Sequence, residues 1–312
     1  MEPSVRRKPG RPSGLIIGTA LVLLLIFMVI IGLFFVLSAL TPSLIGQCVA
    51  VVDVDVPLTV EGSPPSIFDA GYPGSEELAL TIEGLNERDD VGAVVFVFNS
   101  PGGSVVATRE VYSAVDELEK PSVSYFREVA ASGAYYVASG TDYIVSDPDA
   151  ITGSIGVITT FTQMQGLFEK IGVNVTTIQS GTHKDIGSSY REMTPEEQAI
   201  FQELVDEVYS EFKGIVVKNR GDRLDMALFD NITDGRIMSG RQAYRAGLVD
   251  QLGDKRDAIR KAADLSGIEY EDPKDIRTCP ITTGMSDGGL FDVSGIFRRM
   301  EAYASSPYLA FK

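Results

Sequence analysis

Ser132 lies in REVAASGAYYVASG, residues 127–140, where an apolar run passes into a helical pattern. A serine at such a junction is an ordinary helix cap. The same place also exposes a nucleophile at a helix amino terminus, where backbone N–H groups meet negative charge. The small neighbours Ala130, Ala131, Gly133 and Ala134 would let a substrate backbone approach closely. A nucleophilic serine needs a base. The chain holds one histidine, His183, and Lys184 follows it directly. A Ser-His-Asp triad would have to use His183, whereas a Ser-Lys dyad would use Lys184. A lysine serves as general base only when neutral, which requires a fall from about 10.4 towards about 7–8 through desolvation or nearby dipoles. Residue types alone leave both arrangements open. The plain alternative for Lys184 is a solvated surface lysine.

Acyl transfer also needs donors for a developing oxyanion. NSPGGS, residues 99–104, places Gly102 and Gly103 directly after an apolar run, so free N–H groups stand at a sheet end. The plain reading is a strand-to-helix turn. It is not a phosphate loop, because the Lys-Ser/Thr ending is missing. Ser154, in DPDAITGSIGV, is a further hydroxyl or a turn residue. No His, Cys or carboxylate cluster has metal-ligand spacing, and a single histidine speaks against a zinc hydrolase. Asn174-Val175-Thr176 and Asn231-Ile232-Thr233 are glycosylation sequons, meaningful only if they face outward from the cell.

The elements that must hold these residues alternate in type. CVAVVDVDVPLTV (48–60) is β-rich, and EGSPPSIFDAGYPGS (61–75) reads as a loop. Glu76–Asp89 reads as a helix. VGAVVFVFNSPGG (91–103) has the continuous apolar run of a strand buried on both faces. Ser104 caps a helix to about Lys120, with Val105, Thr108, Tyr112, Val115 and Leu118 on one stripe. PSVSYFREVAAS reads as a strand and Gly133–Ser139 as a short helix. Two strand pieces follow in TDYIVSDPDAITGSIGVI, then a helix over Gln163–Ile171, and a strand at VNVTTIQSG. Thr194-Pro195-Glu196-Glu197 is a capping box that opens a long helix to about Lys218. SGRQAYRAG is a short helix stopped by Gly247. The alternation predicts an α/β fold with a mostly parallel sheet.

The 312 residues carry a net charge of −16, which excludes nucleic-acid binding through a basic face. Cys48 and Cys279 are far apart and indicate no disulfide framework, leaving at most a single bridge. Arg6, Arg7, Lys8 and Arg11 precede an uncharged run from Leu15 to Leu40. That run exceeds the roughly 20 apolar residues that span a bilayer and the about 7–15 of a cleavable signal. It predicts an uncleaved anchor with the basic flank inside and the rest of the chain outside the cytoplasm. LIGQC (44–48) makes a poor lipoprotein box, because Gln47 is too large before the cysteine. TTGMSDGGLFDVSG (282–295) reads as a linker, and IFRRMEAYASSPYLAFK (296–312) as a tail that could reach a neighbouring site as a pseudo-substrate or pack on an oligomer.

NSPGGS, AASGAYYVAS, TGSIGVI, SGTHKDIGSSYREMTPEE and SGRQAYRAGLVDQLGD follow one another in order. Together they resemble the signal peptide peptidase A family of membrane-anchored Ser-Lys peptidases, over residues 48–270. The resemblance implies a ClpP/crotonase-like fold of repeated ββα units behind one N-terminal transmembrane helix, and no cofactor or metal. It implies Ser132 as nucleophile and Lys184 as general base. Gly102 and Gly103 look like the oxyanion site, with Gly133 as partner, and Ser154 like the hydroxyl that orients the lysine. His183 becomes a bystander. Ala134 departs from the family, which usually has a second glycine after the serine; its methyl group narrows the oxyanion site slightly. The implied organisation is a basic cytoplasmic 1–14, an anchor at 15–40, a peptidase domain at 41–270 and a linker and tail at 271–312. The implied partners are signal peptides and membrane-proximal or misfolded polypeptides, the cell membrane, and further copies of the chain in a ring. In some members the serine and lysine of one site come from different subunits. The rival readings are an acyl-CoA enzyme of the crotonase type, a non-catalytic membrane scaffold and a triad through His183.

Overall fold

The computed structural model describes residues 21–33, 46–64 and 71–281. The chain divides into two units, Met1–Gln47 and Cys48–Lys312. In the first, residues 21–33 are helical with exposed side chains. Among the described residues no helix is long and apolar enough to cross a membrane. The expected span, 15–40, runs past the described residues at both ends, and the basic flank and the tail 282–312 lie outside them.

The second unit is a mixed α/β sheet. Its strands are β1 (Cys48–Val54), β2 (Val91–Ser100), β3 (Ser122–Ala131), β4 (Tyr143–Ser146), β5 (Ile151–Gly153), β6 (Ile237–Ser239), β7 (Gln251–Leu252) and β8 (Thr278–Ile281). The helices are α1 (Ser75–Glu83), α2 (Val105–Asp116), α3 (Gly133–Ala138), α4 (Gln165–Ile171), α5 (Pro195–Arg220), α6 (Met226–Ile232), α7 (Gly240–Arg245) and α8 (Lys255–Ser266). The sheet runs β6-β5-β3-β2-β1-β8, with β4 on β3 and β7 on β4. Only the β5–β6 pair is antiparallel among these ladders.

The apolar runs of β1 and β2 are explained by burial on both faces. Ala50, Val52, Val94, Phe96 and Phe98 join one core with α2 and α3, while Val49, Val51, Val95 and Val97 join a second core with Ala258, Ala262 and Ala263 of α8. Helix α8 is polar except on the face that buries Ala258, Ala262 and Ala263. Its signals are local: Asp254 and Asp257 form a capping box, and Gly267 ends it at φ 72°.

Strand β3 forks. Val123–Phe126 pair with Tyr143–Ser146 of β4, and Val129–Ala131 pair with Ile151–Gly153 of β5. On its other side Ser100 of β2 lies opposite Ala130. The carboxyl ends of β2, β3 and β5 therefore converge, the usual place for a site in a parallel sheet.

One expectation is corrected, and one possibility left open is realised. Residues 173–181 form no strand: they run exposed, and no neighbouring strand takes up their backbone groups. Cys48 and Cys279 are joined in a disulfide with Cα atoms 6.0 Å apart. The parallel pairing of β1 with β8, Ala50 opposite Cys279, brings them together. This also carries the sheet past residue 270.

Candidate active site

The three converging strand ends open into a cavity of about 640 Å³. Ser132, Gly133, Gly103 and Ser154 line it. Gly102 is buried directly behind. Helix α5 supplies one wall with Val205, Tyr209 and Phe212, and Tyr136 of α3 another.

Ser104 and Ser132 both precede helices, and they behave differently. Ser104 has extended backbone, φ −71° and ψ 151°, and its side chain accepts from the Ala107 N–H. That is ordinary capping. Ser132 sits at φ 54° and ψ −124° and makes no side-chain cap bond. A non-glycine residue in this region costs on the order of 1–3 kcal/mol, and such strain concentrates at functional sites. Its neighbours hold it there: the Ser132 N–H donates to Gly153 O at 2.9 Å, and its carbonyl accepts from the Tyr136 N–H at 3.0 Å. Ser154 also has positive φ, 51°, and its N–H donates to Arg236 O at 2.8 Å.

The glycine turn is shaped to meet Ser132. Gly102 has φ 97°, and a Cβ on it would stand 2.6 Å from Gly133 N and 2.9 Å from Ser132 Cβ. Its N–H donates to Ser100 Oγ at 3.2 Å. Gly103 lies in a parallel bridge with Leu58 that uses the Gly102 carbonyl and the Ser104 N–H. The Gly103 N–H is thus not spent in that bridge. A Cβ on Gly133 would lie 3.2 Å from Gly103 N and 2.3 Å from Thr108 Oγ1, so residue 133 tolerates no side chain. Two backbone donors, Gly103 and Gly133, stand close together beside Ser132.

The polar wall belongs to Arg109, Glu211 and Tyr136. Arg109 forks onto Glu211, and the Tyr136 hydroxyl donates to Glu211 Oε1 at 3.3 Å. Burial, then the nearby Glu211 charge, pushes the Tyr136 phenol up to about 12. This wall had no sequence signal, because its members come from three helices far apart in the chain.

Lys184 and His183 are elsewhere. Lys184 is exposed in a turn over 182–187 and lines a shallow depression with Thr177, Ile178 and Tyr190, not the Ser132 cavity. His183 lies in another depression, its Nε2 3.6 Å from Glu196 and its Nδ1 4.0 Å from Glu197. Within one copy the structure brings Ser132, Gly102, Gly103, Gly133 and Ser154 together and leaves both candidate bases outside. Cys48, Asp90 and Cys279 form the one cluster of metal-ligand types found among the described residues, and the disulfide takes up both sulfurs.

Residues 114–269 match the model of Peptidase family S49. A protein of Methanocaldococcus jannaschii named "Putative protease MJ0651" is 40% identical over 60% of this chain and 60% of its own length. "Putative protease slr0021" of Synechocystis is 40% identical over 64% of this chain and 76% of its own. "Putative signal peptide peptidase SppA" of Enterococcus faecium is 36% identical over 66% of this chain and 62% of its own. The matched region thus spans about three fifths to three quarters of these relatives.

Proposed function

The chain belongs to peptidase family S49, and from that premise we propose that it is a serine endopeptidase using Ser132 as nucleophile and Lys184 as general base. The observation that carries this reading is the Ser132 backbone. It is held at φ 54° in the cavity, its side chain free of capping, beside two unspent N–H groups. In this mechanism the Lys184 amine takes the Ser132 proton as Oγ adds to the peptide carbonyl. The N–H groups of Gly103 and Gly133 receive the oxyanion, and Gly102 supplies the positive-φ turn that aligns them. The leaving amine takes the proton from the lysine. Water then releases the acyl group, with the same lysine as base. Only the neutral amine accepts a proton, so activity rises with pH.

The lysine arrives from a second copy of the chain. Two observations support this: Lys184 lies outside the Ser132 cavity of its own copy, and apolar side chains on either side of α4 are bare. Ile158 is 90% and Ile178 97% exposed. Such residues call for a covering partner, and a ring of copies supplies it. Ser154, beside Ser132, is then placed to orient the incoming lysine.

The finer architecture belongs to the same proposal: a ClpP/crotonase-like fold of repeated ββα units, with residues 15–40 anchoring it in the cell membrane and 1–14 inside. The peptidase domain lies outside, from about residue 41 through β8, and the tail follows. Its substrates are cleaved signal peptides and membrane-proximal or misfolded polypeptides.

The test is peptide hydrolysis by Ser132→Ala, Lys184→Ala and His183→Ala, alone and mixed. The first two are expected to be inactive and the third active. A mixture of the two inactive variants should regain activity if one site draws on two copies. An active Lys184→Ala refutes the dyad.

A further inference from the structure

We propose that Arg191 is a positioning residue that fixes the Lys184 turn for catalysis, an inference that rests on the reading of Lys184 as the base. The turn ends a long exposed stretch, with residues 171–182 all facing solvent. A base carried on such a stretch would wander, and a misplacement of about 1 Å can cost roughly 10²-fold in rate. Something must hold it.

Asp185, the residue after Lys184, is where the hold is made. The Arg191 guanidinium donates to Asp185 Oδ1 at 2.7 Å and Oδ2 at 2.8 Å. Its other edge donates to Glu197 Oε1 at 2.5 Å and Oε2 at 2.8 Å. The two carboxylates are withdrawn from water, with side chains 9% and 2% exposed. Glu197 is itself fixed in the first turn of α5, where its carboxylate accepts the Thr194 N–H at 2.9 Å and the Thr194 hydroxyl accepts the Glu197 N–H at 3.2 Å. The Asp185 carbonyl closes the turn on the Ser188 hydroxyl and N–H. One planar cation thus ties the neighbour of Lys184 to the start of a 26-residue helix.

That helix reaches further. Its middle supplies Val205, Tyr209 and Phe212 to the wall of the Ser132 cavity. The lysine turn is therefore tied to the same rigid helix that walls its own copy's cavity, so the subunit presents Lys184 from a fixed base, and Arg191 is the link at the lysine end. An arginine is required for this, because a fork can satisfy four carboxylate oxygens at once and an ammonium cannot.

The experiment uses the full chain in mild detergent and a fluorogenic peptide amide with apolar residues. Arg191→Lys keeps the charge and loses the fork. Arg191→Met combined with Asp185→Asn and Glu197→Gln avoids leaving a buried carboxylate unpaired, and so guards against simple misfolding. For both, kcat is expected to fall roughly 10²-fold. KM should stay within about two-fold, because Arg191 does not line the cavity. Added methylamine, a free base, should restore part of the activity to Lys184→Ala and to Arg191→Lys alike. A purely structural role would not give that rescue. Wild-type kcat in Arg191→Lys, or loss of kcat together with melting and no amine rescue, overturns the inference. If Lys184→Ala is inactive while both Arg191 variants turn over normally, only this inference falls. If Lys184→Ala is itself active, the base assignment fails and takes the inference with it.

Discussion

Breaking the Cys48–Cys279 disulfide should destabilise the fold more than any single contact in it. The bridge closes a separation of 231 residues. Chain entropy for a loop of that size gives about 5.5 kcal/mol at 25 °C, the upper end of what disulfides deliver. Residual structure in the unfolded chain lowers the figure, so a loss of about 3–5 kcal/mol is expected. Against a typical total of about 5–15 kcal/mol this is a large share. The local structure adds to the effect. Strand β8 is half-exposed and pairs with β1 over four residues only, Val49–Val52 against Thr278–Ile281. The assay is urea unfolding of residues 41–312, oxidised and reduced, with Cys48→Ala/Cys279→Ala as control. The midpoint should drop, and the slope should steepen as the freed unfolded chain exposes more surface. Amide exchange should quicken first in β8. A stability change under about 1 kcal/mol with an unchanged slope would refute the reasoning, because the unfolded state would then not be constrained by the bridge.

Other consequences can be measured separately. Gly102→Ala places a Cβ 2.6 Å from Gly133 N in a backbone at φ 97°. Peptide hydrolysis should fall at least about 10²-fold as the donor pair is pushed apart; activity close to wild type would show that the pair is not used. The Glu197 carboxylate, held down to about 2 chiefly by Arg191, starts from an ordinary value of 4.5. Its folded value is lowered, so its stabilising effect is complete above about pH 4.5 and is lost as pH falls through about 2. The melting difference between wild type and Glu197→Gln should therefore hold steady above pH 5 and shrink towards pH 2. A difference that does not change with pH would contradict the pairing.

The sheet and the serine turn were legible because burial writes itself into sequence. VGAVVFVF has to be apolar throughout when both faces of β2 are covered, and NSPGGS has to carry glycines where Gly102 turns at positive φ. Ser132 was legible as a candidate, but its backbone was not: Ser104 occupies a comparable junction and simply caps. VNVTTIQSG has the composition of a strand without a partner, and composition cannot report partners. The Arg191 clamp joins residues six apart through a turn, a spacing with no helical or strand period. The disulfide was unforeseeable from spacing, because it depends on β8 returning beside β1 at the end of the fold.

That same bridge has a meaning for a protein proposed to cut chains. Cys48 opens the first strand and Cys279 lies in the last described one. A backbone nick anywhere between them leaves two pieces still covalently joined, each with its place in the sheet. Self-clipping would therefore pass unseen on a non-reducing gel and appear as two bands only after reduction.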